Sequence, residues 1–191
     1  MKKTFFAALL LVATIGASAQ RLSGNVSPLK NQGQVNVVLD FSQTTVHGKP
    51  EEVFIAEELS KRDDAQTQAF LREWRESLRN DAYNMLLSGL NKHVANAGFQ
   101  GGNFPDAEYT MCFRIIDINK GFFAGVMNKA SAILAEVDFI KTGETVPFAT
   151  IKLKKASHAL SANVPYYVTR TAMSFDTVGA MTGKLLNKRL R

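Results

Sequence analysis

Four segments of this 191-residue chain alternate apolar and polar side chains with a period of two, and each keeps one face polar. In residues 35–42, Val35, Val37, Leu39 and Phe41 oppose Asn36, Val38, Asp40 and Ser42. Residues 108–118 set Tyr109, Met111, Phe113 and Ile115 against Thr110, Cys112 and Arg114. Residues 130–140 set Ile133, Ala135, Val137 and Phe139 against Glu136 and Asp138, and residues 146–154 set Ala149, Ile151 and Leu153 against Thr150, Lys152 and Lys154. Such alternation is the signature of half-buried strands. A parallel sheet covered on both sides would read as continuous apolar runs. The pattern therefore predicts an α/β two-layer sandwich, a mixed sheet of four or five strands with its helices packed on one face.

The cover is supplied by helices. Phe70, Trp74, Leu78, Ala82, Leu86, Leu90 and Val94 recur every four residues and make one apolar stripe over 64–97. Asp63 or Asp64 caps its start and Gly98 ends it, and at about 50 Å it is long enough to bend, most simply at Ser88-Gly89. Pro50-Glu51-Glu52 reads as the first turn of a short helix to Leu59. A final helix over 172–190 carries Met173, Phe175, Val178, Met181, Leu185 and Leu186 on one side. The order is β-α-β-β-β-α. Between the last two strands, Lys141-Thr142-Gly143-Glu144 reads as a turn of three or five residues with Gly143 at positive φ. That register puts Glu136 opposite Lys152, a favourable cross-strand pair.

The chain begins as an exported protein does. Lys2 and Lys3 precede a mostly apolar run over 5–15, and Ala17-Ser18-Ala19 gives the small-x-small pattern of a signal peptidase site. The run is shorter than the roughly 20 residues of a membrane span. Cleavage after Ala19 leaves a periplasmic or extracellular chain starting at Gln20, with no cysteine at the cut to carry a lipid anchor. Residues 20–34, rich in Gly, Asn, Ser, Pro and Gln, read as an extended, loosely attached arm, and 35–191 as one α/β domain. Removing the leader lowers the formal charge from +6 to +4. That balance is too mild and too dispersed for a nucleic-acid footprint. Cys112, the one cysteine, permits no internal disulfide, so the fold rests on its core.

The VVLDFS strand, Ala107-Glu108-Tyr109 opening the second strand, and the turn at Thr142-Gly143-Glu144 together resemble a known module. It is the small α/β accessory domain at the amino end of TolB and in curli-secretion and transport-auxiliary lipoproteins of the envelope. The resemblance covers about residues 35–191 and extends to secreted bacterial proteins of similar length. It implies a domain that binds other envelope components, or itself, without catalysis. The chain departs from that group in lacking a lipidation cysteine and a second domain.

No catalytic residue, metal ligand set or cofactor site is expected. His47, His93 and His158 are scattered without metal-ligand spacing. Cys112 sits mid-strand beside Arg114 with no base placed to activate it, and reads as a structural thiol. Ser157-His158 and Asp176 form no triad signature. Asp117, Glu136 and Asp138 suggest a carboxylate pair at first sight, but Lys152 and Lys154 opposite make an exposed charge ladder the better reading. The basic residues Lys184, Lys188, Arg189 and Arg191 suit a helix C-terminus.

Phe122, Phe123, Val126 and Met127 lie between glycines in a connection that belongs at the surface, and Tyr166-Tyr167 follows Pro165. Exposed apolar clusters mark partner sites; the competing expectation is that the loop folds back and buries both phenyl rings. The leading functional expectation is a non-catalytic binding or scaffold protein of the bacterial envelope. The alternatives are a small apolar ligand or lipid held between the helices and the sheet, and a hydrolase using surface carboxylates.

Overall fold

The computed structural model describes residues 20–191; the expected leader and the cut expected after Ala19 lie outside the described residues. In chain order the strands and helices are β1 (Arg21–Gly24), β2 (Gly33–Asp40), β3 (Thr45–Val46), β4 (Lys49–Pro50), α1 (Glu51–Leu59), α2 (Asp64–Arg72) and α3 (Leu78–Val94). There follow β5 (Phe99–Gly102), β6 (Tyr109–Asn119), β7 (Phe122–Ala124), β8 (Met127–Lys129), β9 (Ala132–Lys141), β10 (Ala149–Lys152) and α4 (Tyr167–Leu190).

Alternation decides the layers as expected. Met111, Phe113 and Ile115 of β6 and Ile133, Ala135, Val137 and Phe139 of β9 are at most 1% exposed. The outward residues Thr110, Cys112, Arg114, Glu136 and Asp138 remain partly exposed. The sheet runs β1-β10-β9-β6-β2-β5, parallel where β2 meets β5 and β6 and antiparallel from β6 to β1. The β3–β4 ribbon joins it where β3 runs parallel to β6. The architecture is the α/β sandwich read from sequence, with a mixed sheet larger than four or five strands.

Four strands of the main sheet escaped the sequence pattern. Arg21–Gly24, read as a loose arm, pairs with β10 along the sheet edge, and Val26 and Leu29 behind it are 3% and 0% exposed. The arm is thus part of the fold. Phe99–Gly102 lies in a Gly-rich stretch whose glycines supply no alternation. This edge strand pairs with β2 and is fastened on its outer side by Asn91 of α3, whose amide donates to Gly101 O at 2.9 Å and accepts from Gly101 N at 2.8 Å. One side chain thereby satisfies backbone groups that an edge would leave unpaired. β3 and β4 are too short to show a period.

All seven stripe residues from Phe70 to Val94 are buried. The helix does not change course at Ser88-Gly89, where α3 is regular; its irregularity is a π-helical segment at Glu73–Ser77. A strict four-residue repeat drifts about 40° per step on a helix of 3.6 residues per turn. A π turn takes up the extra residue and keeps Phe70, Trp74 and Leu78 on one side. Asp63 caps α2 through a capping box with Gln66, and Gly98 closes the far end at φ 77°. α4 starts at Tyr167, earlier than its apolar periodicity indicates, because its first turns bury Arg170, Thr171 and Ser174. It crosses α3 closely: a Cβ on Gly89 would stand 2.0 Å from Asp176 O, and one on Gly179 2.1 Å from Leu86 O. The β9–β10 connection is longer than expected, residues 142–148, but odd as the face matching requires. Gly143 has φ 90°, and Glu136 stands opposite Lys152.

Candidate interaction surface

Phe122 to Lys129 fold into a two-stranded hairpin separate from the main sheet, with Ala124 paired to Met127 across the turn Gly125-Val126. Gly125 takes φ 68°, the first central position where such a two-residue turn favours glycine. Asn128 Oδ1 accepts from Ala124 N at 3.0 Å. The rings do not fold back: Phe122 is 47%, Phe123 41%, Met127 68% and Val126 99% exposed. The expectation that the loop buries both rings is overturned.

A lone two-stranded ribbon is marginal in water, and this one is held at both ends. At its entry, the buried Arg170 of α4 donates through Nε to Lys120 O at 2.8 Å and through Nη1 to Val164 O and Pro165 O at 2.6 and 3.0 Å. Burial lowers the pKa of that guanidinium, and carbonyls, not a carboxylate, meet its charge. At the exit, Ser131 Oγ shares a hydrogen bond of 2.6 Å with Ser174 Oγ, and Ser131 N donates to Ser161 Oγ at 3.1 Å. The short 3₁₀ turn Ala159–Asn163 packs against both ribbon strands and presents Leu160, 64% exposed. None of these anchors was singled out from sequence. The available signal was a polar set, Arg170, Thr171 and Ser174, on a helix face that continues an apolar stripe.

The two tyrosines part company. Tyr166 is 47% exposed. Tyr167 is half-buried, its ring 6.3 Å from Trp74 and 6.4 Å from Phe70, so it belongs to the aromatic core rather than the surface. Burial, then the charge of Glu73, push its phenol well above the usual tyrosine range. Lys120 reaches under this cluster, 4.9 Å from the Phe54 centroid and 3.5 Å from Glu58; burial lowers its pKa.

The outer sheet face carries the charge ladder, with Arg114 at its centre. Arg114 Nε donates to Asp138 and Nη2 to Glu136, each at 2.6 Å, and Lys152 lies 3.2 Å from Glu136. Thr150 also donates to Asp138 at 2.7 Å. The bond to Asp138, above all, raises the guanidinium pKa. Asp117 is elsewhere, accepting from Thr45 Oγ1 and Gly48 N at 2.8 and 2.9 Å. Burial, with Asp40 and Asp138 nearby, pushes the Cys112 thiol up. Ser157 donates to Ser131 O at 2.6 Å, while Asp176 binds Lys92 at 3.0 Å. These groups do not converge on one another. Among the described residues, no cluster of three or more His, Cys, Asp or Glu could hold a metal ion.

A cleft of about 380 Å³ runs past the end of β2, lined by Val38, Phe41, Arg79, Tyr83 and Asn103. Arg79 lies 4.6 Å over the Phe41 ring and 3.1 Å from Glu51, so its charge is already engaged. The space between helices and sheet is filled by Met111, Phe113, Phe139 and Phe175, each 0% exposed.

No family model matches the chain, and no curated protein matches it. Among solved structures, a PelC dodecamer from Paraburkholderia phytofirmans is similar in two crystal forms, both with a TM-score of 0.43. The identities are 9% and 8%, over 88% and 87% of this chain and 96% of each PelC chain. No helix among the described residues is long and apolar enough to cross a membrane.

Proposed function

We propose that this protein is a non-catalytic binding or scaffold protein of the bacterial cell envelope, and that the hairpin Phe122–Lys129 is its docking element. One observation carries the reading: four large apolar side chains project from a ribbon whose base is fastened by buried hydrogen bonds. Burying them inside the domain is the cheaper arrangement for an isolated molecule, so their exposure points to a partner surface. The leader sequence supplies the address, and the resemblance to envelope accessory domains supplies the class. The paired charges of Arg114, Glu136 and Asp138 favour an exposed ladder over a hydrolase, since each carboxylate already has a cationic partner.

The test is fractionation of the producing bacterium. Wild-type protein is expected with envelope assemblies, and the Phe122→Ser/Phe123→Ser variant in the free pool with an unchanged unfolding midpoint. Identical fractionation of the two would contradict the reading.

A further inference from the structure

We propose that the hairpin docks into an anionic lipid surface, its tip entering the interface and its basic base resting on the headgroups; this rests on the reading of the hairpin as a docking element. Six of the ten exposed large hydrophobic residues described, Phe122, Phe123, Val126, Met127, Leu160 and Tyr166, lie on the hairpin or on the segments that support it. The charge there has one sign. Residues 118–135 and 145–175 contain Lys120, Lys129, Lys152, Lys154, Lys155 and Arg170 and no Asp or Glu. The bridge between Ile133 and Ala156 brings Lys154 and Lys155 beside the foot of the hairpin. Among the described residues Lys129, Lys154 and Lys155 form no ion pair, whereas Lys120 and Lys152 are paired with Glu58 and Glu136. Of the acids on adjoining elements, Glu58 is engaged by Arg62 and Lys120 and Asp117 by Thr45 and Gly48, while Glu73 faces the tyrosine side of the patch. His47, on the β3–β4 turn, registers the same field, since burial and then Lys120, Lys129 and Lys155 lower its pKa against the opposing pull of Asp117.

Shape favours lipid over a folded partner. A ribbon strand of three residues projects about 10 Å, the depth to which interfacial elements sink at the headgroup–acyl boundary. A stable protein interface buries about 800 Å² on each side, more than a two-residue turn and its flanks present. A convex apolar tip with unpaired lysines behind it has the complementarity of an anionic membrane surface.

The experiment uses the chain from Gln20 onward, which contains every described element, with vesicles of phosphatidylcholine alone or mixed with phosphatidylglycerol. The proposal expects salt-sensitive binding to the mixed vesicles and much weaker binding to the neutral ones. Val126→Asp/Met127→Asp should reduce that binding at least tenfold, since each buried apolar side chain is worth about a factor of ten. Lys129→Glu/Lys155→Glu should reduce it by about fivefold or more per site. Both pairs are solvent-facing, and unchanged far-UV circular dichroism controls for folding. In Val126→Trp the added indole should shift its emission to the blue only with anionic vesicles. Absence of binding to the mixed vesicles, equal binding to both kinds, or wild-type binding by the aspartate variant overturns the proposal. If purified protein ignores vesicles while Phe122→Ser/Phe123→Ser still releases it from the envelope, the partner is a protein and only the lipid proposal falls.

Discussion

Trp74 and Glu51, 23 residues apart, are joined by a 2.7 Å hydrogen bond in which the indole Nε1 donates to Oε1. The same carboxylate takes Arg79 at 3.1 Å, so one acid at the head of α1 fastens two positions of the long helix. The Trp74 ring, 1% exposed, lies 4.9 Å from Phe54 and 6.3 Å from Tyr167. It is a core anchor that joins the π segment to α1 and α4. Trp74→Ala should cost about 3–5 kcal/mol, and Glu51→Gln about 1 kcal/mol, both measured by urea unfolding. A thermal midpoint of Trp74→Ala within a degree or two of wild type would contradict the anchoring role.

Gly179 sits where α4 meets α3, and an added Cβ would meet backbone, not a yielding side chain. Although alanine favours helix by about 1 kcal/mol over glycine, Gly179→Ala should lower stability by 1–3 kcal/mol, on the order of overpacking. A stabilised variant would show that the helices can part without loss.

Alkaline pH probes the aromatic cluster. Burial raises the phenol pKa of Tyr167 above its ordinary value of 10.0, and Tyr83 shifts the same way. The folded state therefore binds these protons more tightly than the unfolded chain. Their contribution is complete below pH 10 and is lost as pH rises toward the folded-state values. Among the described residues Tyr167 Oη has no hydrogen-bond partner, so Tyr167→Phe should match wild type at pH 8 and exceed it above pH 10. Parallel stability curves for the two proteins across that range would refute the assignment.

Cys112 should be a slow thiol. Its pKa is raised by burial and by the negative charges of Asp40 and Asp138, with Arg114 opposing, and the thiolate is the reacting species. Reaction with an aromatic disulfide reagent should lag behind a free cysteine at pH 7 and quicken as pH rises. Asp138→Asn should speed it. A rate equal to free cysteine at neutral pH would place the thiol in a different setting.

Legibility followed side-chain periodicity. Met111 to Ile115, Ile133 to Phe139 and the stripe from Phe70 to Val94 announce their burial because their spacing repeats several times. The Glu136–Lys152 register agrees with the matched apolar faces of the two strands. Phe99–Gly102 could not be read this way, since its glycines show no face and its outer edge is bonded by the side chain of Asn91. Arg21–Gly24 is similarly brief, and its partner lies more than a hundred residues away. At the candidate surface, the run from Phe122 to Met127 drew notice by composition. Its exposure depends on Arg170, Ser161 and Ser174, which hold the base from distant segments. Tyr167 looked equivalent to Tyr166, yet the helix start turns one ring inward and leaves the other out.

The central claim is that Phe122 and Phe123 serve association rather than the fold. The most direct measurement is the unfolding midpoint and the envelope association of the Phe122→Ser/Phe123→Ser variant, taken on the same preparation. The account predicts a midpoint within about 2 °C of wild type, as expected for surface positions, and loss of association. A midpoint lowered by the double substitution, or association left intact, would contradict it.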